Sequence, residues 1–268
     1  MIRKDYKNLI SFLLIAFLLP FISVAAQKII RNNSVSFVLF GIQAAAPTVS
    51  AIVILLFNKK GKKFLKIMFR KEYLQRAIFL PLIVAGVTMF LAKLLFCILF
   101  KTGFELKSIS AVQLVVIIWA LFAEEIGWRG YLEPLLIKIG ISKRLVPSIV
   151  GMIWCLWHYH YFLQGSIQVP VLLFLISCII ESYIYSFLMC MTRSNIVSSM
   201  TYHFAWNLFI HIAAINPADN SGNIFPYFIM VILETFVVFI FRNIRRIKGI
   251  SRVNKPYRLS FLCKDREG

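Results

Sequence analysis

Apolar residues in this chain come in long unbroken runs, and the polar residues collect in the short stretches between them. A run of about 20 apolar residues is the length at which a helix crosses the hydrocarbon core of a bilayer. Eight runs qualify, some of them interrupted: residues 9–26, 35–57, 77–100, 112–138, 145–163, 169–192, 195–215 and 225–241. The pattern predicts an all-α, polytopic transmembrane helical bundle of about eight spanning helices. No repeat, low-complexity tract or soluble domain interrupts it, so 1–241 reads as a single transmembrane domain and 242–268 as a basic cytoplasmic tail. Ser23-Val24-Ala25 resembles a signal-peptidase site after the first run. The long apolar core of that run and the seven spans behind it predict a retained helix.

Composition agrees with the pattern: 60% of residues are hydrophobic, 15% are charged and the mean hydropathy is +0.79. A net charge of +19 could mean nucleic acid, but that partner needs a solvated basic face, and here the basic residues sit between apolar runs. Lys and Arg accumulate on the cytoplasmic side of membrane proteins, which orients the chain. With the N-terminus inside, three precede Leu9, eight lie between Lys59 and Arg76, three between Lys138 and Arg144, one is Arg193 and nine follow from Arg242. Only Lys28, Arg31, Lys101 and Lys107 fall outside, so both termini are placed in the cytoplasm. From Lys59 to Lys71, basic and apolar residues interleave as in a helix lying at the interface; an ordinary positive-inside loop accounts for it, with anionic lipid as a further reading. Cys97, Cys155, Cys178, Cys190 and Cys263 show no paired spacing and read as free thiols.

Against this background the polar residues inside the spans stand out. Ionisable groups there are costly and usually face the interior of a bundle, where they serve function. The fourth run carries Glu124, Glu125 and Arg129; the fifth, His158 and His160; the seventh, His203, Asn207 and His211. Lys93, Glu181 and Glu234 are scattered in the third, sixth and eighth.

Helix geometry sorts this set. Glu125 and Arg129 are four apart on one face, where an ion pair is the economical use of both. Glu124 is turned about 100° away and is left for another task. His203 and Asn207 share a face, whereas His158 and His160 point nearly opposite ways, so one of the two can look into a shared site. At about 1.5 Å per residue, Glu124 lies roughly 18 Å from the external end of its span, with His203 and His158 at overlapping heights. A carboxylate at that depth is a stronger base and can deprotonate water for attack on a carbonyl, while His and Asn can orient the water and stabilise the oxyanion. Polar contacts that tie helices together are the alternative for any one of these residues taken singly.

Glu124-Glu125-Ile126-Gly127-Trp128-Arg129 resembles the EExxxR motif of the CPBP family, the CAAX proteases and bacteriocin-processing enzymes also called Abi proteins. Trp154-Cys155-Leu156-Trp157-His158 resembles its FxxxH motif, and His203-Phe204-Ala205-Trp206-Asn207 its HxxxN motif, in the same order and within a core of 112–215. The resemblance implies an intramembrane endopeptidase of eight helices whose site opens toward the cytoplasm. It implies Glu124 as general base, His158 as holder of the water, His203 and Asn207 as the oxyanion hole, and Glu125 and Arg129 as supporting residues. Trp154 stands where the family has Phe, a departure expected to affect packing and not chemistry. His160, His211, Glu181 and Glu234 have no counterpart in the motifs and read as structural.

Many members of the family are described as metalloproteases, and Glu124, His158 and His203 could hold Zn²⁺ with water as fourth ligand. The absence of HExxH, and an Asn that suits an oxyanion better than a metal, favour a mechanism without metal or other cofactor. The expected partners are a peptide or membrane-anchored protein substrate and the lipid bilayer of a multi-pass protein, placed in a bacterial cell membrane. In a bacterium a bacteriocin or pheromone leader, or a membrane-anchored regulator, fits as substrate better than a prenylated CAAX protein. A non-catalytic bacteriocin-immunity or scaffold protein is the alternative function. A proton-coupled transporter would be expected to show internal repeats, and none is present.

Overall fold

A computed structural model describes residues 2–30, 32–69 and 71–247, and among these the regular structure is entirely helical. In chain order the helices are α1 (Ile2–Ile30), α2 (Asn33–Ala44), α3 (Ala46–Phe57), α4 (Gly61–Met68), α5 (Leu74–Phe100) and α6 (Ala111–Ala123). A π-helical segment, Ile126–Leu132, leads into α7 (Glu133–Lys138), followed by α8 (Val146–Trp157), α9 (Tyr159–Leu163), α10 (Val171–Met191), α11 (Val197–Ile212), a 3₁₀ turn at Pro217–Asp219 and α12 (Phe225–Ile247).

Five stretches in the described residues are long and apolar enough to cross a membrane: Arg3–Ile30, Leu74–Phe100, Ala111–Lys138, Val171–Met191 and Phe225–Ile244. α2 and α3 make a sixth if taken as one span bent by 62°. The bend follows from Pro47 in the first turn of α3, which has no N–H to donate and whose ring would meet the carbonyl four residues back. The remaining two of the eight expected spans are shorter helices. The run 145–163 is divided at His158 into α8 and α9, and 195–215 yields the 16-residue α11. An apolar run sets how deep a segment sits, but it does not guarantee one unbroken helix.

α1 is built into the bundle. It packs on α2 and α3, its Phe12 and Ala16 are fully buried, and Phe12 meets the rings of Trp128 and Tyr131. Trp157 and Tyr159 donate hydrogen bonds to the carbonyls of Ala16 and Phe17, each at 2.9 Å. At its start, Asp5 pairs with Lys138 at 2.6 Å. On the far side α11 lies against α5 and α6, while α10 lies between α8 and α12. Gly151 permits the α8–α10 approach, because a Cβ there would lie 2.6 Å from the Ile179 Cα. The faces turned away from these contacts carry Leu14, Leu18, Phe79, Ile83, Val115 and Phe122 exposed, as lipid-facing residues should be. From residue 248 the expected basic tail lies outside the described residues.

Candidate active site

The chain breaks its helical winding where the carboxylates stand. Glu124 closes α6 with φ −120° and ψ −45°, and its carbonyl accepts from both Gly127 N–H (2.9 Å) and Trp128 N–H (3.0 Å). The π-wound turns that follow run flush against α3, and a Cβ on Gly127 would overlap the backbone of Pro47. The bent span and the wide turn are therefore matched surfaces, and π turns of this kind concentrate at functional sites.

Glu124 and Glu125 face different surroundings, though not as a straight α-helix would set them. Glu125 is fully buried, and its Oε1 accepts from Arg129 at 3.4 Å and lies 2.8 Å from His203 Nδ1. Arg129 also donates to Ser182 Oγ at 3.1 Å and lies over the rings of Tyr185 (4.0 Å) and Trp154 (4.7 Å). Glu124 is not free: its Oε2 accepts from the indoles of Trp128 (3.2 Å) and Trp154 (2.7 Å), while its Oε1 lies 3.9 Å from His203 Nε2. The expectation that Trp154 in place of Phe alters packing alone is thereby corrected, since a Phe has no N–H to give and this Trp holds the carboxylate directly.

The other side chains arrive from two further elements. His158 sits at the α8–α9 break, with Nδ1 2.7 Å from the Trp154 carbonyl. A carbonyl can only accept, so the proton is on Nδ1 and Nε2 is the remaining acceptor. His160 turns the other way, fully buried, with Nδ1 2.6 Å from Gln43 Nε2. From α11, Asn207 donates one amide N–H to the His203 carbonyl at 3.0 Å, leaving its second. Glu124, His158, His203 and Asn207 all line one cavity of about 370 Å³, and Glu125 and Arg129 stand behind its wall. Trp154, Ser182 and Tyr185, absent from the sequence-based set, complete the support. Of these only Trp154 carried a signal, because a buried indole N–H needs an acceptor.

The cavity extends from Glu124 past Gln113, Ser166–Val169, His211 and Asn216; Ser166–Val169 and Asn216 lie in connections between helices, and His211 in the last turn of α11. His211 is held there by Asp219 at 2.5 Å. The loop charges assign this end to the outside, whereas the resemblance implies a cytoplasmic opening. The two expectations therefore disagree about which side of the membrane this end of the cavity faces.

A zinc set of Glu124, His158 and His203 was tested on donor geometry. Both imidazoles engage Nδ1 with an acceptor and leave Nε2, as metal-binding histidines do. Yet no three His, Cys, Asp or Glu side chains among the described residues gather as a metal set, and two indoles occupy Glu124 Oε2. The residues as placed do not fit a three-ligand centre.

Residues 105–209 match the family described as Type II CAAX prenyl endopeptidase Rce1-like, a span holding all three motifs. A relative named CAAX prenyl protease 2, from Methanococcus maripaludis, is 27% identical over 126 residues, covering 43% of this chain and 46% of the relative. The matched segment thus spans less than half the length of the curated relative.

Proposed function

We propose that this Rce1-like, multi-pass membrane protein is an intramembrane endopeptidase, in which a water held between Glu124 and His158 attacks a peptide carbonyl seated beside His203 and Asn207. The observation that carries the reading is the convergence of these four side chains, from three separate elements, on one cavity inside an apolar bundle. Glu124 Oε1 takes a proton from the water, Oε2 being engaged by the two indoles, and His158 Nε2 accepts the water's second hydrogen. The new C–O bond forms as the carbonyl oxygen gathers charge. That oxyanion meets the second amide N–H of Asn207, and Nε2–H of His203 when this imidazole carries both protons, its Nδ1–H being held by Glu125. Collapse breaks the C–N bond, and Glu124 returns its proton to the departing amine. No step calls on a metal.

A CAAX-type protein is the first substrate class to try, given the name of the relative, and a bacteriocin or pheromone leader the second. Entry is from the Gln113–Ser166–Asn216 end. Purified protein in detergent should cleave such a peptide, and Glu124→Gln should abolish cleavage while eluting as the wild type does on size exclusion. Unchanged turnover in that variant would overturn the assignment. An immunity phenotype that survives Glu124→Ala with His203→Ala would establish the scaffold function instead.

A further inference from the structure

The cavity does not end at the four residues above. Glu181 on α10 and Tyr227 on α12 form another part of its wall, both nearly sealed from the exterior at 3% and 2% exposure. Glu181 Oε1 accepts from Ser177 at 2.7 Å. Glu234, also buried, comes from α12; its Oε1 accepts from Trp206 (3.0 Å) and Tyr202 (3.4 Å). Glu234 Oε2 and Tyr227 Oη have no hydrogen-bond partner. Among the described residues the buried ion pairs join Arg129 and His203 to Glu124 and Glu125, and none reaches Glu181 or Glu234.

Two buried carboxyl groups outside the ion pairs, beside unpartnered polar atoms, are placed to receive a cation from a ligand. Among the described residues no ion pair supplies one, and the cavity that Glu181 shares with the reacting residues is also lined by Val116, Ile117, Phe174 and Ile210. Such a channel suits a long apolar stem that ends in a charge. We propose that Glu181, flanked by Tyr227 and backed by Glu234, is a specificity site that takes the ammonium or guanidinium of a Lys or Arg side chain in the peptide substrate. This rests on the peptidase reading. The acidic pair selects which peptide is held, while Glu124 and its partners act on the bond.

The test uses detergent-purified full-length protein and matched peptides carrying Lys or norleucine at each of four positions flanking the scissile bond. The wild type should favour Lys at one position by about tenfold or more in kcat/KM, mostly through KM. Glu181→Gln should bring the Lys-to-norleucine ratio near one, and Tyr227→Phe should lower it less. If Glu181→Gln does not fold, the wild-type ratio and Tyr227→Phe decide. A wild type that cleaves both peptides alike overturns the proposal, and shows that the pair merely ties α10 to α12. A binding arm separates the two ideas: fluorescently labelled Lys and norleucine peptides are titrated onto Glu124→Gln protein. Tighter binding of the Lys peptide that Glu181→Gln removes supports the site even if no peptide is cleaved, and equal binding refutes it.

Discussion

Gly127→Ala asks whether the wide turn after Glu124 is held by its contact with α3. In an unconstrained helix this change is favourable by about 1 kcal/mol, since Gly gives up more backbone freedom than Ala on folding. Here the new Cβ would lie 2.6 Å from Pro47 Cβ and overlap the Pro47 carbonyl group, whereas ordinary contact begins at 3.4 Å. The obstacle is the backbone at the bend between α2 and α3, which no rotamer change relieves. Forcing a methyl group into a packed site costs about 1–3 kcal/mol and sometimes more. A backbone clash on this scale belongs at or above the upper end, so after the propensity gain the net loss is about 2 kcal/mol. That corresponds to a fall of about 4–8 °C in Tm for a chain of this size, read by thermal unfolding in detergent at a fixed scan rate. Because the displaced turn carries Trp128, a donor to Glu124, peptide cleavage should fall at temperatures where the variant is still folded. Gly61→Ala is the control: nothing lies within 4 Å of its Cβ, so its Tm should hold or rise. A Tm for Gly127→Ala at or above wild type would refute the reasoning.

Arg129→Ala leaves Glu125 buried with His203 as its only charged partner and empties the place over Tyr185. Removing one member of a buried pair costs about 3–5 kcal/mol, so the variant should yield little monodisperse protein in detergent, and melting within a few degrees of wild type would contradict the pairing. Cleavage should persist within about twofold after exhaustive dialysis against a chelator, because Glu124 is already held by two indoles. Loss of cleavage that added Zn²⁺ restores would replace the water-only mechanism with a metal one.

The all-helical membrane character was legible because it depends on composition over tens of residues, which the bilayer reads as length. Where the apolar runs are interrupted was less legible, since continuity depends on single residues. Pro47 bends one run, His158 divides another, and Glu124 ends α6 in mid-run. For the site, spacing of four residues identified Glu125 with Arg129 and His203 with Asn207, contacts that survive altered winding. Spacing said nothing of partners from other helices: Trp154 on Glu124, Ser182 on Arg129, and Glu125 rather than Glu124 as the nearer carboxylate to His203. Glu181 read as structural because it matches no motif, and its place in the cavity wall follows only from how α10 packs between α8 and α12.

The two winding breaks share a physical cause. Within hydrocarbon every backbone N–H and C=O must find a partner in the protein, so a break is tolerated only where it is enclosed by protein or lines a cavity that admits water. Both satisfy that condition with their own side chains and neighbours. The Glu124 carbonyl takes two N–H groups, and the Trp154 carbonyl, which receives only a long 3.3 Å bond from His158 N–H at the α8–α9 junction, also takes the His158 ring. The second arrangement also sets the imidazole tautomer, since the proton on Nδ1 leaves Nε2 as the acceptor of a side chain that lines the cavity. In such a bundle the broken helices are what bring polar groups together at mid-depth, and the short α8 and α11 are the elements that carry His158, His203 and Asn207.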